Sequence, residues 1–192
     1  MSTTGTAGVS LPGDTKDFST QLSDAKNSGA DIIFFGGTSS NGGGIIKKQM
    51  ADSGLSNVKY LGGDGIVDAE FFTEAGAQAD GAYGTVAAPD PTKLDTAAKF
   101  VSDYKAAFGV DPGAYSAEAF DVTNAIISVL KGLGSSPTRS AVVQAFATVD
   151  YQGLTKQITF GSDHNLKVQT AFLYQVKKGK LAYLGDLTDL TK

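Results

Sequence analysis

The sequence predicts an α/β fold, a doubly wound parallel sheet with helices between its strands. Over the first ninety residues, apolar runs of strand length alternate with segments of helical periodicity at the spacing of βαβ units. The run at residues 30–35, ADIIFF, is apolar at its last four positions and is followed by two glycines. Such a run is typical of a strand covered on both faces, so it predicts a central parallel strand. With 192 residues, 41% of them hydrophobic, the chain can bury a core.

The first half of the chain reads as a regular succession of elements. A short, weak strand at residues 6–11 precedes the turn Pro12-Gly13-Asp14, and a helix opens near Asp17 with Phe18 and Leu22 on its apolar side. After the central strand come a helix at residues 43–53, a strand at 58–61, a short helix at 68–75 and a strand at 82–87.

The segment Ala88-Pro89-Asp90-Pro91 interrupts this alternation. Two prolines so close together favour an extended linker, which predicts a crossover between domains. Three helices follow without an intervening strand, at residues 96–108, 116–132 and 138–148, and Phe120 is assigned to the core-facing side of the second. The predicted strands of the tail are at residues 154–160, 170–176 and 181–184, the last two joined as a hairpin by residues 177–180.

Composition excludes several classes of function. The net charge is −4 with a single arginine, so no basic surface is available for nucleic acid. The absence of cysteine and the single histidine exclude thiolate and multi-histidine metal sites. No run has the 18 apolar residues that a membrane helix needs, and the start lacks the features of a signal peptide, which we expect to have been removed or to lie upstream.

Eight short segments of the chain form a pattern through their order and their spacing. They are Asp17-Phe18, ADIIFFGG at residues 30–37, LGGDG at 61–65, GAY at 81–83, and the segments 100–104, 108–112, 114–121 and 172–180. Together they resemble the substrate-binding proteins of branched-chain amino-acid ABC transporters, the class I periplasmic binding proteins. The resemblance extends over nearly all of this chain but over only the C-terminal half of a family member.

The resemblance implies a fold of two flavodoxin-like α/β lobes that close over a ligand in the cleft between them. It assigns residues 1–88 to the later part of lobe two, residues 89–169 to the second portion of lobe one, and residues 170–192 to a hairpin that returns to lobe two. The two-lobe architecture is therefore expected to be incomplete. The parent protein is expected outside the cytoplasm, periplasmic or lipid-anchored, with a membrane permease as its partner.

Asp64 is the strongest candidate for a ligand contact. It lies between Gly63 and Gly65 directly after a predicted strand, at the edge where open α/β sheets bind ligands. The resemblance implies that its carboxylate pairs with the ammonium group of an amino acid. The alternative is a turn aspartate that bonds its own backbone.

Four further candidate ligand contacts accompany it, namely Gly37, Thr38, Gly63 and Tyr115. Gly37 and Thr38 follow the preceding strand at the same edge, and Thr38 occupies a position where family members often carry tyrosine, which leaves the ligand's identity open. Tyr115 begins the second long helix, and its family counterpart lies at the cleft, although an aromatic residue there is also compatible with core packing. The loop at residues 37–44 lacks the glycine pattern of nucleotide-binding motifs, so nucleotide binding is not indicated. A flexible loop without a binding role is the alternative interpretation.

No residues suggest an enzyme, and no cofactor or metal is predicted. His164 lies in a polar turn without a nucleophile elbow, and Glu118 and Asp121 are expected to be solvated helix-surface acids. The function predicted is therefore binding without chemistry, of a small and preferably aliphatic amino acid. The alternative is a half-protein that self-associates as a homodimer or domain swap, or that complements a missing N-terminal half.

Overall fold

A computed structural model describes residues 12–113 and 115–190. The chain divides into two compact units, and each is described by itself. Unit 1 contains the chain up to Ala87 together with the segment from Phe172 onward, and unit 2 is Ala88–Ala171. The α/β class predicted from the sequence is confirmed, whereas the predicted strand at residues 6–11 lies outside the described residues.

Unit 1 is a five-stranded mixed sheet with helices packed on it. Its elements are α1 (Ser19–Asn27), β1 (Ile32–Phe35), α2 (Gly43–Asp52), β2 (Lys59–Gly62), α3 (Ala69–Ala75), β3 (Tyr83–Val86), β6 (Phe172–Lys177), β7 (Lys180–Asp186) and α7 (Leu187–Leu190). The strand order is β1-β2-β3-β6-β7. Neighbours from β1 to β3 are parallel, whereas β6 pairs antiparallel with β3 and with β7.

The main cluster of buried hydrophobic residues lies in unit 1. Phe18 and Leu22 of the α1 segment pack with Met50 of α2, Tyr60 of β2 and Phe71 of α3, all of them buried. The Tyr60 hydroxyl, buried in this core, donates a 2.8 Å hydrogen bond to the carbonyl oxygen of Gly43 at the start of α2. A buried hydroxyl without a partner is costly, so this bond holds the first residue of α2 in place next to β2.

The position of β1 differs from the prediction of a central, doubly covered strand. In the described sheet β1 is an edge strand. Ile33 and Phe35 pack against the core, but Ile32 and Phe34 point to the other face and are 56% and 65% exposed. The apolar pattern for two covered faces is present, but among the described residues only one face is covered.

The β6–β7 hairpin closes the other side of the sheet. Its turn residues Lys178 and Gly179 have φ values of 53° and 69°, and their N–H groups donate to the Asp80 carboxylate at 2.9 and 2.8 Å. Chiefly because of the Gly179 and Lys178 hydrogen bonds, the pKa of Asp80 lies below its usual range. The predicted hairpin is confirmed.

Unit 2 consists of three helices and a small hairpin. Its elements are α4 (Ala98–Phe108), α5 (Ser116–Leu133), α6 (Arg139–Ala147), β4 (Asp150–Gln152) and β5 (Gln157–Thr159). Strands β4 and β5 pair antiparallel, and β4 was not predicted. The assignment of Phe120 to a core-facing side is wrong, because Phe120 is 44% exposed although its ring packs on that of Phe100.

Candidate ligand-binding site

The candidate site lies at the carboxyl edge of the parallel strands of unit 1. Strands β1 and β2 pair in register, with Phe35 opposite Gly62 at their last positions. The two segments that leave these strands therefore start side by side. One carries Gly37 and Thr38, and the other carries Gly63 and Asp64. This edge is where open α/β sheets place ligands.

The two loops touch at Gly65. A Cβ atom built on Gly65 would lie 2.7 Å from the carbonyl oxygen of Gly37 and 3.0 Å from Cγ2 of Thr38. Such distances leave no room for a side chain, so the close approach of the loops requires glycine here. The structure thus brings four of the predicted residues, Gly37, Thr38, Gly63 and Asp64, to one edge.

The two predicted glycines differ in what their surroundings demand. A Cβ atom on Gly37 would lie 2.5 Å from Cζ of Phe35, so a side chain there would require the Phe35 ring to shift. Gly63 has no atom within 4 Å of such a Cβ, and its φ of −79° suits any residue. The open space beside Gly63 lies next to Asp64.

Asp64 is an exposed residue that opens a short 3₁₀ turn, Asp64–Ile66. Its carbonyl oxygen accepts the N–H of Val67 at 2.9 Å, which holds the turn directly after β2. An aspartate in this position can accept hydrogen bonds from a ligand ammonium group.

Thr38 is exposed, and its hydroxyl belongs to a local network. Its Oγ1 is 2.6 Å from Oδ1 of Asn41, to which it donates, and 2.9 Å from the hydroxyl of Ser40. Its carbonyl oxygen accepts the N–H of Asn41 at 3.0 Å. These bonds order the loop that leads from β1 into α2.

Two residues that sequence reasoning missed connect these loops. Ser39 is fully buried, and its hydroxyl donates a 2.8 Å hydrogen bond to Oδ1 of Asp68. The same Asp68 oxygen accepts the N–H of Phe71 at 2.8 Å and caps α3. The capping position of Asp68 was readable from the sequence, but nothing in the sequence indicates its bond to Ser39.

Tyr115 belongs to unit 2 and is the N-cap residue of α5. Its φ of 65° is in the left-handed region, which is uncommon for a non-glycine residue, and its side chain is exposed. A sterically unfavourable backbone of this kind persists where the surrounding structure holds it, and such residues cluster at functional sites.

The expectation that Glu118 and Asp121 are solvated is wrong. Asp121 is 2% exposed and accepts hydrogen bonds from the N–H groups of Leu154 and Thr155 at 2.7 and 2.8 Å. Glu118 is mostly buried one turn earlier, and Nζ of Lys156 is 3.9 Å from its carboxylate. Burial is the main cause that raises the pKa of Glu118 above its usual range, and Lys156 partly opposes it. The hydrogen bonds of Asp121 hold the loop at 153–156 against α5.

The described part of the chain offers no metal site of three or more histidine, cysteine, aspartate or glutamate residues. Nor does any helix within residues 12–113 and 115–190 have the length and apolarity to span a bilayer.

Comparison with known proteins places this geometry in context. The family model described as "Periplasmic binding protein" matches residues 3–180. The chain is 27% identical over 165 residues to the Leu/Ile/Val-binding protein homolog 2 of Brucella abortus (strain 2308), a match covering 86% of this chain and 43% of that protein. The chain thus spans less than half the length of this curated relative.

Two solved structures share the fold. The leucine binding protein LivK of Thermotoga maritima superposes with a TM-score of 0.78 at 24% identity, covering 90% of this chain and 49% of that one. The branched-chain amino acid transporter substrate binding protein LivJ of Streptococcus pneumoniae, solved in complex with isoleucine, gives a TM-score of 0.73 at 27% identity. That match covers 88% of this chain and 48% of the other.

Proposed function

Because this chain belongs to the periplasmic binding protein family, we propose that it is part of the substrate-binding protein of an ABC importer and binds an amino acid without chemical change. Relatives named as Leu/Ile/Val-binding proteins, and a relative in complex with isoleucine, favour an aliphatic ligand. The protein of which it is part would work outside the cytoplasm and deliver its ligand to a membrane permease.

One observation carries this proposal, the meeting of the Gly37-Thr38 and Gly63-Asp64 segments at the carboxyl edge of β1 and β2. In the proposed site, Asp64 pairs with the ligand's ammonium group, and the open space beside Gly63 admits the ligand backbone. The Thr38 hydroxyl lies on the neighbouring loop and contributes a polar contact. Tyr115, in unit 2, stays a separate prediction, supported by its exposed ring and left-handed backbone at the start of α5.

Thermal unfolding with a panel of aliphatic, aromatic and polar amino acids tests the proposal. A ligand that binds the native state and is present at a free concentration of about 100 times its Kd adds about 2.7 kcal/mol to the free energy of unfolding. We expect an aliphatic amino acid to raise the melting temperature and the others to raise it less. A cooperatively melting chain that responds to no amino acid would contradict ligand binding by this chain.

The role of Asp64 is tested by Asp64→Asn with Asp31→Asn as the matched control. Asp31 is an exposed aspartate that immediately precedes β1. It lies at the amino end of the parallel strands, whereas Asp64 follows the carboxyl end of β2. Losing a charged hydrogen-bond acceptor is expected to weaken binding by about 1.5–3 kcal/mol, whereas the control keeps wild-type affinity. Equal affinities of the two variants, measured by calorimetric titration, would remove Asp64 from the site.

A second candidate function rests on apolar side chains that the described residues leave uncovered. Ile32 and Phe34 are exposed on β1, and in unit 2 the exposed side of α5 includes Phe120, Ile126 and Ile127. Exposed apolar patches promote association. The second proposal is that the chain self-associates through these surfaces as a homodimer or domain swap, or takes up a complementing polypeptide of the same family fold.

Light scattering over a range of concentrations tests this second function. The wild-type chain is expected to form dimers or larger species when alone, and Phe34→Ser is expected to shift them toward monomer. Val143→Ser, at an exposed valine of α6, is the control for lost surface hydrophobicity at another place. A wild-type chain that stays monomeric and folded at all concentrations would rule out self-association.

A further inference from the structure

Ser39 is a buried polar residue between two exposed neighbours, Thr38 and Ser40. Its relative exposure is 0%, and its side chain turns away from solvent toward the second loop of the candidate site. There its Oγ donates to Oδ1 of Asp68 at 2.8 Å and lies 3.3 Å from the carbonyl oxygen of Gly65. A hydroxyl taken out of water needs such partners, so this contact determines where Ser39 can sit.

The acceptor is itself fixed. Oδ1 of Asp68 also accepts the N–H of Phe71 in the first turn of α3, and Phe71 is fully buried in the core of unit 1. A carboxylate oxygen can accept more than one hydrogen bond, so both bonds form together. Through Asp68, Ser39 ties the loop after β1 to a helix that packs on the sheet.

The two ends of this connection hold the ligand-facing residues between them. Thr38 immediately precedes Ser39, and Asp64 immediately precedes Gly65, whose backbone contacts both Gly37 and Ser39. A shift of Ser39 would therefore move the Thr38 hydroxyl relative to the Asp64 segment. The residues that contact a ligand must themselves be held in place by packing and hydrogen bonds from the residues behind them.

We propose that Ser39 is a positioning residue: its bond to Asp68 holds the Gly37-Thr38 loop and the Gly63-Asp64 loop in one fixed arrangement, on which affinity for the amino acid depends. Ser39 does not touch the ligand in this proposal. The inference rests on the proposed binding function, but the fixed arrangement of the two loops is a property of the chain without ligand.

Hydrogen exchange and ligand titration of Ser39→Ala test the proposal together. Without the hydroxyl, exchange is expected to accelerate at residues 36–38 and 63–66 while α2 and the rest of unit 1 keep their protection. Affinity for the best amino acid of the panel is expected to fall about tenfold to a hundredfold, the range that corresponds to one hydrogen bond with a charged group. Ser28→Ala, which removes a hydroxyl bonded to the Ala25 carbonyl oxygen at the end of α1, is the matched control and is expected to change neither quantity.

Three results would overturn the inference. They are unchanged exchange in the two loops, a uniform acceleration throughout unit 1, and unchanged affinity with loosened loops. If Ser39→Ala does not fold cooperatively, Ser39→Cys replaces the hydroxyl with a weaker donor and is measured in the same way. A wild-type chain that binds no amino acid would defeat the proposed function and the affinity claim, while loop exchange would still decide whether Ser39 fixes the loops.

Discussion

Thr155 donates two hydrogen bonds to Asp121, one from its N–H and one from its hydroxyl, both at 2.8 Å and across 34 positions of the chain. Asp121→Ala would leave these donors without their acceptor, so we expect the free energy of unfolding to fall by about 2–4 kcal/mol. Thr155→Val removes only the hydroxyl bond and should cost about 1 kcal/mol. Urea denaturation measures both, and equal losses would show that the N–H bonds contribute nothing.

Two helical glycines predict opposite effects of the same substitution. A Cβ atom on Gly44 in α2 would lie 2.6 Å from Cβ of Glu74 and 2.9 Å from the Phe71 carbonyl oxygen, so Gly44→Ala should destabilise by about 1–3 kcal/mol. Gly132 in α5 has open space around it, and Gly132→Ala should stabilise by about 0.5–1 kcal/mol. Denaturation curves that move in the same direction would contradict this prediction.

Lys178 predicts a stabilising change in the β6–β7 turn. Its φ of 53° is unfavourable for lysine, whereas asparagine followed by glycine is preferred in two-residue hairpin turns. Lys178→Asn keeps the N–H that bonds Asp80 and should raise the free energy of unfolding by about 0.5–1 kcal/mol. The control Lys177→Asn changes a strand residue, where asparagine is disfavoured, and should not stabilise.

Glu118 predicts a dependence of stability on pH. Burial raises its pKa in the native state above the ordinary value of 4.5, so between these two values the native state binds more protons than the unfolded state. Wild-type stability should therefore rise as pH falls through the native pKa toward about 4.5. Glu118→Gln should exceed the wild type in stability at neutral pH, and the advantage should shrink as the solution is acidified.

Lys156→Met provides the matching test of this cause. The Lys156 charge lowers the pKa of Glu118, so its removal should raise that pKa further and enlarge the pH dependence. Chemical denaturation between about pH 4 and 8 measures both variants. A Glu118→Gln variant whose stability follows the wild type at every pH would contradict the prediction.

Much of the fold followed from local patterns. The helix expected to open near Asp17 and the short helix expected at residues 68–75 are found as α1 (Ser19–Asn27) and α3 (Ala69–Ala75), because helix starts depend on signals within a few residues. Strand β4 was missed because Asp150–Gln152 is three residues long and mostly polar. The edge position of β1 could not be predicted, since its sequence records which faces suit burial and not which elements lie beside it.

The candidate site was predictable only in outline. Parallel strand order brings Thr38 and Asp64 to one edge, and that inference needs no side-chain detail. The hydrogen bond from Ser39 to Asp68 joins residues 29 positions apart and depends on how the two loops pack. No periodicity or motif in the sequence therefore predicts it. Asp121 was mistaken for a surface acid because its three donors lie in a loop more than 30 residues away.

The discontinuous composition of unit 1 has a consequence for how the chain is made. Strand β3 ends at Val86, and its antiparallel partner β6 begins at Phe172. At about 5–20 residues per second, a ribosome needs roughly 4–17 seconds to synthesise the intervening segment. During that time the nascent chain carries β3 with one edge unpaired, and an unpaired edge is a template for pairing with other chains. The sheet of unit 1 can therefore be completed only after Phe172–Lys177 has been synthesised, and until then β3 keeps an edge that other chains can pair with.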